Sequence, residues 1–250
     1  LDLFIGGRGV PGAYPTSSSS RLLRNSNGKF TDVSKESPAL LKKRIVTGAI
    51  WSDADGDGWV DLLVSTEWGP IHFFRNDKGK LVDSTEGSGL SPYLGWWTGI
   101  NGADIDHDGD IDLLVTNFGL NTKYKASPET PEVLFYGDFE NSGRKRIVEA
   151  GFEDGVCYPH RGFSCSRNAM PFIGSKLKTF HNFASAALPE IYPRSNLGKS
   201  LRMEANTLES GIFRNDGKGK FTFKALPRMA QASPSFGSSF LDATGNGHPD

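Results

Sequence analysis

The sequence predicts an all-β fold, and more narrowly a β-propeller built from four-stranded antiparallel blades. Glycine makes up 30 of the 250 residues, and turn-forming residues separate short runs rich in Val, Ile, Trp and Phe, as strands require. An acidic motif and an Arg-Asn motif also recur at nearly constant spacing. A strand-rich unit repeating every ~50 residues is typical of a propeller blade. The main alternative, a β-sandwich, does not explain why a loop and a turn repeat in register.

The acidic motif occurs twice in full and once in a weaker form. Residues 53–61 read DADGDGWVD and residues 104–112 read DIDHDGDID, and the strand sequence LLV follows both. A third copy, DATGNGHPD, occupies residues 242–250, and Asp2 begins DLFI, which is similar to the DLLV that closes the first two copies. A glycine lies five residues before the first Asp of each copy: Gly48, Gly99 and Gly237.

A second landmark is an apolar pair followed by Arg-Asn and a glycine turn, and it begins at Leu22, Phe73 and Ile212. The next acidic motif starts 29, 29 and 28 residues after the arginine of each copy. This constant distance indicates one structural unit that is used several times. A single unit predicts four strands, at residues 46–52, 60–66, 71–75 and 80–83.

Calcium is the predicted ligand of the acidic loops, because carboxylates at positions 1, 3, 5 and 9 converge on one centre when the backbone wraps tightly. Glycine at position 6 permits the turn, and the backbone carbonyl of position 7 completes the shell. In the first loop the predicted ligands are Asp53, Asp55, Asp57, Asp61 and the carbonyl of Trp59. In the second they are Asp104, Asp106, Asp108, Asp112 and the carbonyl of Asp110. An EF-hand is excluded, since position 12 is valine and the flanks are strands.

Two further loops depart from this pattern. The third has only two carboxylates and is expected to bind calcium more weakly, through Asp242, Thr244, Asn246, Asp250 and the carbonyl of His248. The fourth, at residues 138–143, has Arg146 at position 9, where the arginine is expected to pair with Asp138 or Glu140 in place of a metal. Two strong calcium sites and one weaker site are therefore predicted. The alternative is a solvated acidic turn, although four like charges in nine residues repel each other without a cation.

The pattern G-x4-D-x-D-x-D-G-x-x-D-L resembles the FG-GAP or VCBS repeat of integrin α-subunit propellers and of many secreted bacterial proteins. Phe236 and Gly237 even spell the Phe-Gly pair. The resemblance implies a calcium-binding propeller over residues 1–250. Family members usually close seven blades, and because about five are visible here the chain is expected to be a fragment of a larger propeller. Alternatively, the N-terminal strands and a strand at residues 236–241 complete one blade between them.

Residues 151–205 break the repeat and are predicted to be an inserted, helix-containing segment. Apolar residues at spacings of three and four run through residues 168–191 and predict a helix that packs on the propeller rim or binds a partner. Cys157 and Cys165 lie at the start of this segment. A disulfide between them is expected if the protein is exported, and two free thiols are the alternative.

Several classes of function lack support in the sequence. The net charge of -1 gives no basis for a nucleic-acid or polybasic membrane partner. No apolar run approaches the ~18 residues that span a bilayer. The match of residues 7–12 to G-x-G-x-x-G is followed by prolines and serines instead of a helix, and zinc-protease and serine-hydrolase motifs are missing from the sequence.

The sequence thus favours an extracellular, cell-surface or periplasmic calcium-binding propeller that acts as a non-catalytic binding, adhesion or scaffolding module. Calcium is expected to be structural, and the partner is an unidentified protein or polysaccharide. Trp51, Trp96 and Trp97 are expected to pack between blades, with stacking on sugars as the alternative. The alternative function is a carbohydrate-active enzyme domain similar to propeller-type polysaccharide lyases, or an accessory domain of one. A cleft containing His, Tyr, Arg or Lys would distinguish the enzyme.

Overall fold

The computed structural model describes residues 2–247, which form four antiparallel sheets, five short α-helices and three 3-10 helices. The chain divides into two compact units. The first unit contains Leu1–Thr122 and Leu208–Asp250, and the inserted unit contains Lys123–Thr207. The predominantly β class predicted from the sequence is confirmed.

Three sheets form the first unit. The first sheet has the order β1-β2-β3, with β1 (Leu3–Ile5), β2 (Arg21–Ser26) and β3 (Lys29–Asp32). The second has the order β4-β5-β6-β7, with β8 paired to β5: β4 (Ile45–Ser52), β5 (Asp61–Gly69), β6 (His72–Asp77), β7 (Lys80–Asp83) and β8 (Gly95–Trp96). The third has the order β9-β10-β15-β16: β9 (Gly99–Ala103), β10 (Asp112–Thr116), β15 (Gly211–Asn215) and β16 (Phe221–Ala225).

The four strands predicted for one repeat unit are confirmed by β4, β5, β6 and β7. The acidic loop lies between β4 and β5, and the glycine turn lies between β6 and β7. The third sheet repeats this arrangement but is discontinuous in sequence. Its second strand, β10, ends at Thr116, and its third strand, β15, begins at Gly211. The inserted unit therefore interrupts one sheet between its second and third strands.

Both faces of the second sheet are buried. Leu62 and Val64 on β5 belong to a core cluster shared with β2 of the first sheet, whereas Leu63 belongs to a cluster shared with the third sheet. Successive residues of a strand point to opposite faces, so β5 serves both clusters at once. Trp97 lies fully buried in the second cluster. The three sheets consequently pack face to face.

The inserted unit is a second β structure with helices on one face. Its sheet has the order β13-β12-β11-β14: β11 (Glu132–Gly137), β12 (Arg146–Glu153), β13 (Val156–Pro159) and β14 (Leu201–Ala205). The helices are α1 (Phe163–Ala169), α2 (Phe172–Leu177), α3 (Phe180–Ala184), α4 (Leu188–Ile191) and α5 (Arg194–Lys199). Buried apolar residues of β11 and β12 form one core with those of the helices.

The helical stripe predicted over residues 168–191 is divided among several helices. After α2, Lys178 has a φ of +60°, which ends the helix, and the Thr179 hydroxyl then accepts a hydrogen bond from the Asn182 amide to cap α3. Ile173 and Phe183 are buried as the stripe predicts, but the side chain of Phe180 is 62% exposed. None of the helices in the described part of the chain is long and apolar enough to cross a membrane.

The strand predicted over residues 236–241 is not a regular strand. This segment nevertheless lies beside β9, where the Asn101 side-chain amide donates to the Ser238 carbonyl at 2.9 Å. Just before both elements, the Thr98 hydroxyl donates to the Ser235 carbonyl. It leaves Phe236 and Leu241 largely exposed. Side-chain hydrogen bonds therefore hold the segment in place of a strand ladder.

Candidate metal centre

The four acidic loops share one backbone arrangement. In each loop, the carboxylate at position 1 accepts hydrogen bonds from the backbone amides of positions 5 and 6. The two distances, in that order, are 3.2 and 2.9 Å at Asp53, 3.2 and 3.1 Å at Asp104, 3.1 and 2.6 Å at Asp138, and 3.0 and 2.8 Å at Asp242. The fourth loop thus keeps the backbone of the others although its sequence has diverged.

Two residues of each loop have left-handed backbone. The predicted glycine at position 6 has a positive φ in all four loops: Gly58, Gly109, Gly143 and Gly247. Position 4 also has a positive φ, which was not predicted from the sequence: Gly56, His107, Asn141 and Gly245. Glycine and asparagine adopt this conformation most readily. Their presence at position 4 of three loops was the signal available in the sequence.

Three carboxylates converge in each of the first two loops. One oxygen from each of Asp53, Asp55 and Asp57 lies within 4.8 Å of the other two, and the same holds for Asp104, Asp106 and Asp108. Two oxygens bound to one calcium ion at about 2.3–2.6 Å lie at most about 5 Å apart. Each triad therefore fits one calcium ion, both in the spacing of its oxygens and in offering hard oxygen donors.

The electrostatics of the loops favour a bound cation. Burial, followed by the charge of Asp57, raises the pKa of Asp55. Burial and then the charges of Asp108 and Asp104 raise the pKa of Asp110. A raised carboxyl pKa means that the folded protein disfavours the charged form. A divalent cation would reverse that preference.

The arginine of the Arg-Asn motif supplies part of the missing positive charge. Arg75 Nη1 lies 3.9 Å from an oxygen of Asp57, and Arg214 forms an ion pair with Asp106. The arginine thus pairs with a triad carboxylate in both loops. In the sequence the motif was recognisable only as a marker of the repeat, and this role was not predicted.

The carboxylates at position 9, Asp61 and Asp112, have a second set of partners. Asp61 is fully buried and accepts hydrogen bonds from the amides of Ala54 at 3.0 Å and Asn76 at 2.7 Å. Asp112 likewise accepts from Asn215 at 2.8 Å. Each therefore braces the acidic loop to the asparagine of the Arg-Asn motif.

The same brace occurs in the first sheet, where Asp2 accepts from the amide of Asn25 at 3.0 Å. This contact explains why DLFI at the N-terminus is similar to DLLV. Neither Asp61 nor Asp112 belongs to the oxygen triads. Because a carboxylate has about four lone-pair sites, both residues keep capacity for a metal and stay predicted ligands.

The remaining predicted ligands lie around the triads. The amide of Trp59 donates to Asp57 at 2.8 Å, and the amide of Asp110 donates to Asp108 at 2.9 Å. Position 7 therefore lies against the position 5 carboxylate in both loops. In the third loop Asp242 holds the shared backbone, whereas the predicted ligands His248 and Asp250 lie outside the described residues.

A single turn connects the first two loops. It follows β15, and its Gly219 amide donates to the Ala54 carbonyl of the first loop at 2.9 Å. On the other side, a Cβ added to Gly217 would lie 2.2 Å from the Asp110 carboxylate of the second loop. A side chain at this position would displace the Asp110 carboxylate, and the φ of +73° at Gly217 also favours glycine.

The ion pair predicted for Arg146 in the fourth loop is not formed. Among the described residues, no salt bridge joins Arg146 to Asp138 or Glu140. The Asp138 carboxylate is instead held by the loop amides, including that of Glu140 at 3.1 Å. Although burial acts in the opposite direction, these hydrogen bonds lower the pKa of Asp138.

The predicted disulfide is not formed either, and both thiols are free. Cys157 on β13 is half-buried and packs against the core of the inserted unit, whereas Cys165 is exposed on α1. Burial raises the pKa of Cys157 to about 11. The two side chains differ in environment because one faces the core and the other faces solvent.

Comparison with known proteins supports the repeat. Residues 53–115 match the family described as FG-GAP-like repeat, a stretch that contains both complete acidic loops. The predicted resemblance to FG-GAP repeats is confirmed for this stretch, and the chain carries an FG-GAP-like repeat. No curated protein matches the chain.

Proposed function

We propose that this FG-GAP-repeat chain is a calcium-stabilised β-propeller, whole or partial, that acts outside the cell or in the periplasm as a non-catalytic binding, adhesion or scaffolding module. The two triads of carboxylate oxygens within 4.8 Å of one another carry the calcium part of this proposal. The face-to-face packing of three sheets and the family match support the propeller.

Calcium in these loops would act on structure. Each loop joins the first two strands of a sheet, and its carboxylates repel one another. The bound ion supplies the positive charge that the loop lacks, while the triads Asp53, Asp55, Asp57 and Asp104, Asp106, Asp108 would hold it. At millimolar calcium and a site of ~10 µM affinity, one ion adds roughly 3 kcal/mol to the free energy of unfolding.

A groove in the first unit supports a saccharide as the bound partner. The groove has a volume of about 390 Å³ and is lined by Trp51, Val60 and Leu81, with Asp2 and Asn76 as polar neighbours. Trp51, which was expected to pack between blades, is 40% exposed. An exposed indole beside polar side chains suits stacking on a sugar ring.

The proposal is tested by thermal unfolding in millimolar calcium and in excess EGTA. We expect calcium to raise the midpoint of the wild type and to leave the midpoint of the Asp55→Ala, Asp106→Ala double variant nearly unchanged. If calcium raises neither midpoint, the loops are not calcium sites and the proposal fails. Magnesium at the same concentration is the matched control, because it keeps its water shell and suits flexible oxygen sites poorly.

One observation favours the alternative of a carbohydrate-active enzyme. In the inserted unit, His160 Nε2 forms a hydrogen bond with the buried carboxylate of Glu132, and the Tyr124 ring packs edge-on against the imidazole at 5.0 Å. Burial, followed by the charges of Glu149 and Glu132, raises the pKa of Tyr124. The raised pKa makes Tyr124 a weaker acid, so the feature that favours an enzyme is the grouping of the His160–Glu132 pair with a phenol that stays protonated at neutral pH.

This alternative is tested by incubating the full chain with acidic and neutral polysaccharides. An enzyme would release shorter products, and Tyr124→Phe together with His160→Gln would abolish their formation. If no polysaccharide is shortened while binding is retained, the non-catalytic module stands.

A further inference from the structure

A polar pocket lies beside the fourth acidic loop, within the inserted unit. It has a volume of about 430 Å³, and its lining includes Arg144, Arg146, Asn168, Ser142 and Glu140. The loop contributes Ser142 and Arg144, β12 begins with Arg146, and α1 contributes Asn168. This volume is in the range of sites for small molecules, about 300–1,000 Å³.

The charge of this loop is inverted relative to the calcium-type loops. Residues 53–61 contain four Asp and no basic residue. Residues 138–146 contain one Asp and one Glu against two Arg and one Lys, so their net charge is +1. The arginine at position 9 stands where the other loops have their closing carboxylate. A site with the same backbone thus favours an anion over a cation.

The two arginines of the pocket are not neutralised by the protein. In residues 2–247, no salt bridge involves Arg144 or Arg146. The Nε atom of Arg146 is fully buried and has no hydrogen-bond partner. Buried donors in native proteins almost always have an acceptor, and an unpaired one needs an explanation. Because this nitrogen is inaccessible to solvent, a ligand in the open pocket would have to meet the other nitrogens of the Arg146 guanidinium.

We propose that this pocket binds an acidic saccharide unit, with the carboxylate or sulfate group of the sugar held by Arg144 and Arg146. Guanidinium groups match the geometry of such oxyanions and bind them through paired hydrogen bonds. Ser142 and Asn168 offer neutral donors and acceptors for the sugar hydroxyls, and Glu140 offers an acceptor for them. This site is separate from the calcium triads and does not depend on them.

The experiment is isothermal titration calorimetry on the full chain in millimolar calcium and again in EGTA. The probes are glucuronic acid, a glucose sulfate ester, neutral glucose and inorganic sulfate. We expect the two acidic sugars to bind and neutral glucose not to bind. Arg144→Gln and Arg146→Gln each weaken binding by at least about tenfold, because each removes a charged hydrogen-bond donor.

Lys145→Gln is the matched control. It removes the same charge from the neighbouring residue, but the Lys145 ammonium lies over the Tyr136 ring at 5.6 Å and does not line the pocket. We expect its affinity to stay within about twofold of wild type, since a screened surface charge contributes little. Unfolding midpoints of all variants show whether each is folded, and the exposed Arg144 provides a variant that leaves the fold intact.

Three results would overturn the inference. The first is a folded wild-type protein that binds neither acidic sugar. The second is an equal loss of affinity in Lys145→Gln and Arg146→Gln, because the attraction would then be unspecific. The third is equal affinity for inorganic sulfate and the acidic sugars, which would remove the saccharide from the assignment. If calcium does not raise the unfolding midpoint but the acidic sugars still bind, only the calcium proposal is refuted.

Discussion

The brace formed by Asp61 leads to a prediction that separates folding from metal binding. Replacing Asp61 by Ala leaves two amides without acceptors, the buried amide of Ala54 and the partly buried amide of Asn76. An unsatisfied buried amide costs about 1–3 kcal/mol, so the pair costs about 2–6 kcal/mol. Burial raises the pKa of Asp61, so removal of its disfavoured charge offsets part of this loss. We therefore expect the free energy of unfolding to fall by about 2–4 kcal/mol.

Urea unfolding in excess EGTA, followed by tryptophan fluorescence, measures this effect without metal. Asp57→Ala is the control, because it removes an equal charge from an exposed position of the triad. In EGTA we expect Asp61→Ala to be destabilised and Asp57→Ala to stay within about 1 kcal/mol of wild type. In calcium, we expect both variants to be less stable than wild type.

One result would refute this reasoning. If Asp61→Ala is as stable as wild type in EGTA and is destabilised only in calcium, the two hydrogen bonds contribute nothing to folding. Asp61 would then act solely as a metal ligand, and the equivalent contacts of Asp112 and Asp2 would lose their interpretation as braces.

Further predictions concern charge, buried indoles and thiols. In EGTA, the difference in unfolding free energy between Asp55→Asn and wild type is expected to shift in favour of the variant as pH rises from about 4 to 7. The expected shift is less than about 1 kcal/mol. The raised pKa of Asp55 means that its contribution to stability is lost as pH rises through that pKa, and calorimetry at several pH values checks this. Trp97→Phe is expected to lower the free energy of unfolding by about 1–3 kcal/mol less than Trp68→Phe does, as measured by urea unfolding. The reason is that Trp97 Nε1 has no hydrogen-bond partner, whereas Trp68 Nε1 donates to a tyrosine hydroxyl at 2.7 Å. In thiol titration at mildly alkaline pH, Cys165 is expected to react at once and Cys157 only on unfolding.

Each of these predictions has a contrary outcome. A difference between Asp55→Asn and wild type that is constant with pH would show that titration of Asp55 is not coupled to folding. Equal losses for the two tryptophan variants would mean that the unpaired indole N–H carries no cost. Absence of reactive thiols in the unfolded, unreduced protein would establish the disulfide that the structure lacks.

Local sequence patterns predicted the repeat unit well. The alternation of apolar residues and glycine turns placed β4 to β7 within a few residues of their observed ends. The acidic motif likewise predicted the carboxylate triads, because ligands separated by two residues in a tight turn are neighbours in any fold. These features depend on contacts within one short stretch of chain.

Local patterns were less informative where the partner is distant in sequence. The stripe over residues 168–191 has a helical period, but Lys178 ends α2, and Pro189 lies in the first turn of the separate helix α4. The cysteine pair is only eight residues apart, but one residue faces the core and the other faces solvent. Periodicity and spacing do not report which face a neighbouring element covers.

The sequence by itself determined the strand-rich repeat, the glycine-dependent turns and the clustering of carboxylates, because backbone sterics and short-range charge act within a few residues. Only the tertiary structure decided that β15 completes the sheet of β10 across the inserted unit and that the Arg-Asn motif serves the acidic loops. Those pairings join residues about 100 positions apart, as Asp112 and Asn215 show. Such contacts are selected by burial of the shared core and by satisfaction of buried amides, which depend on the whole packed chain.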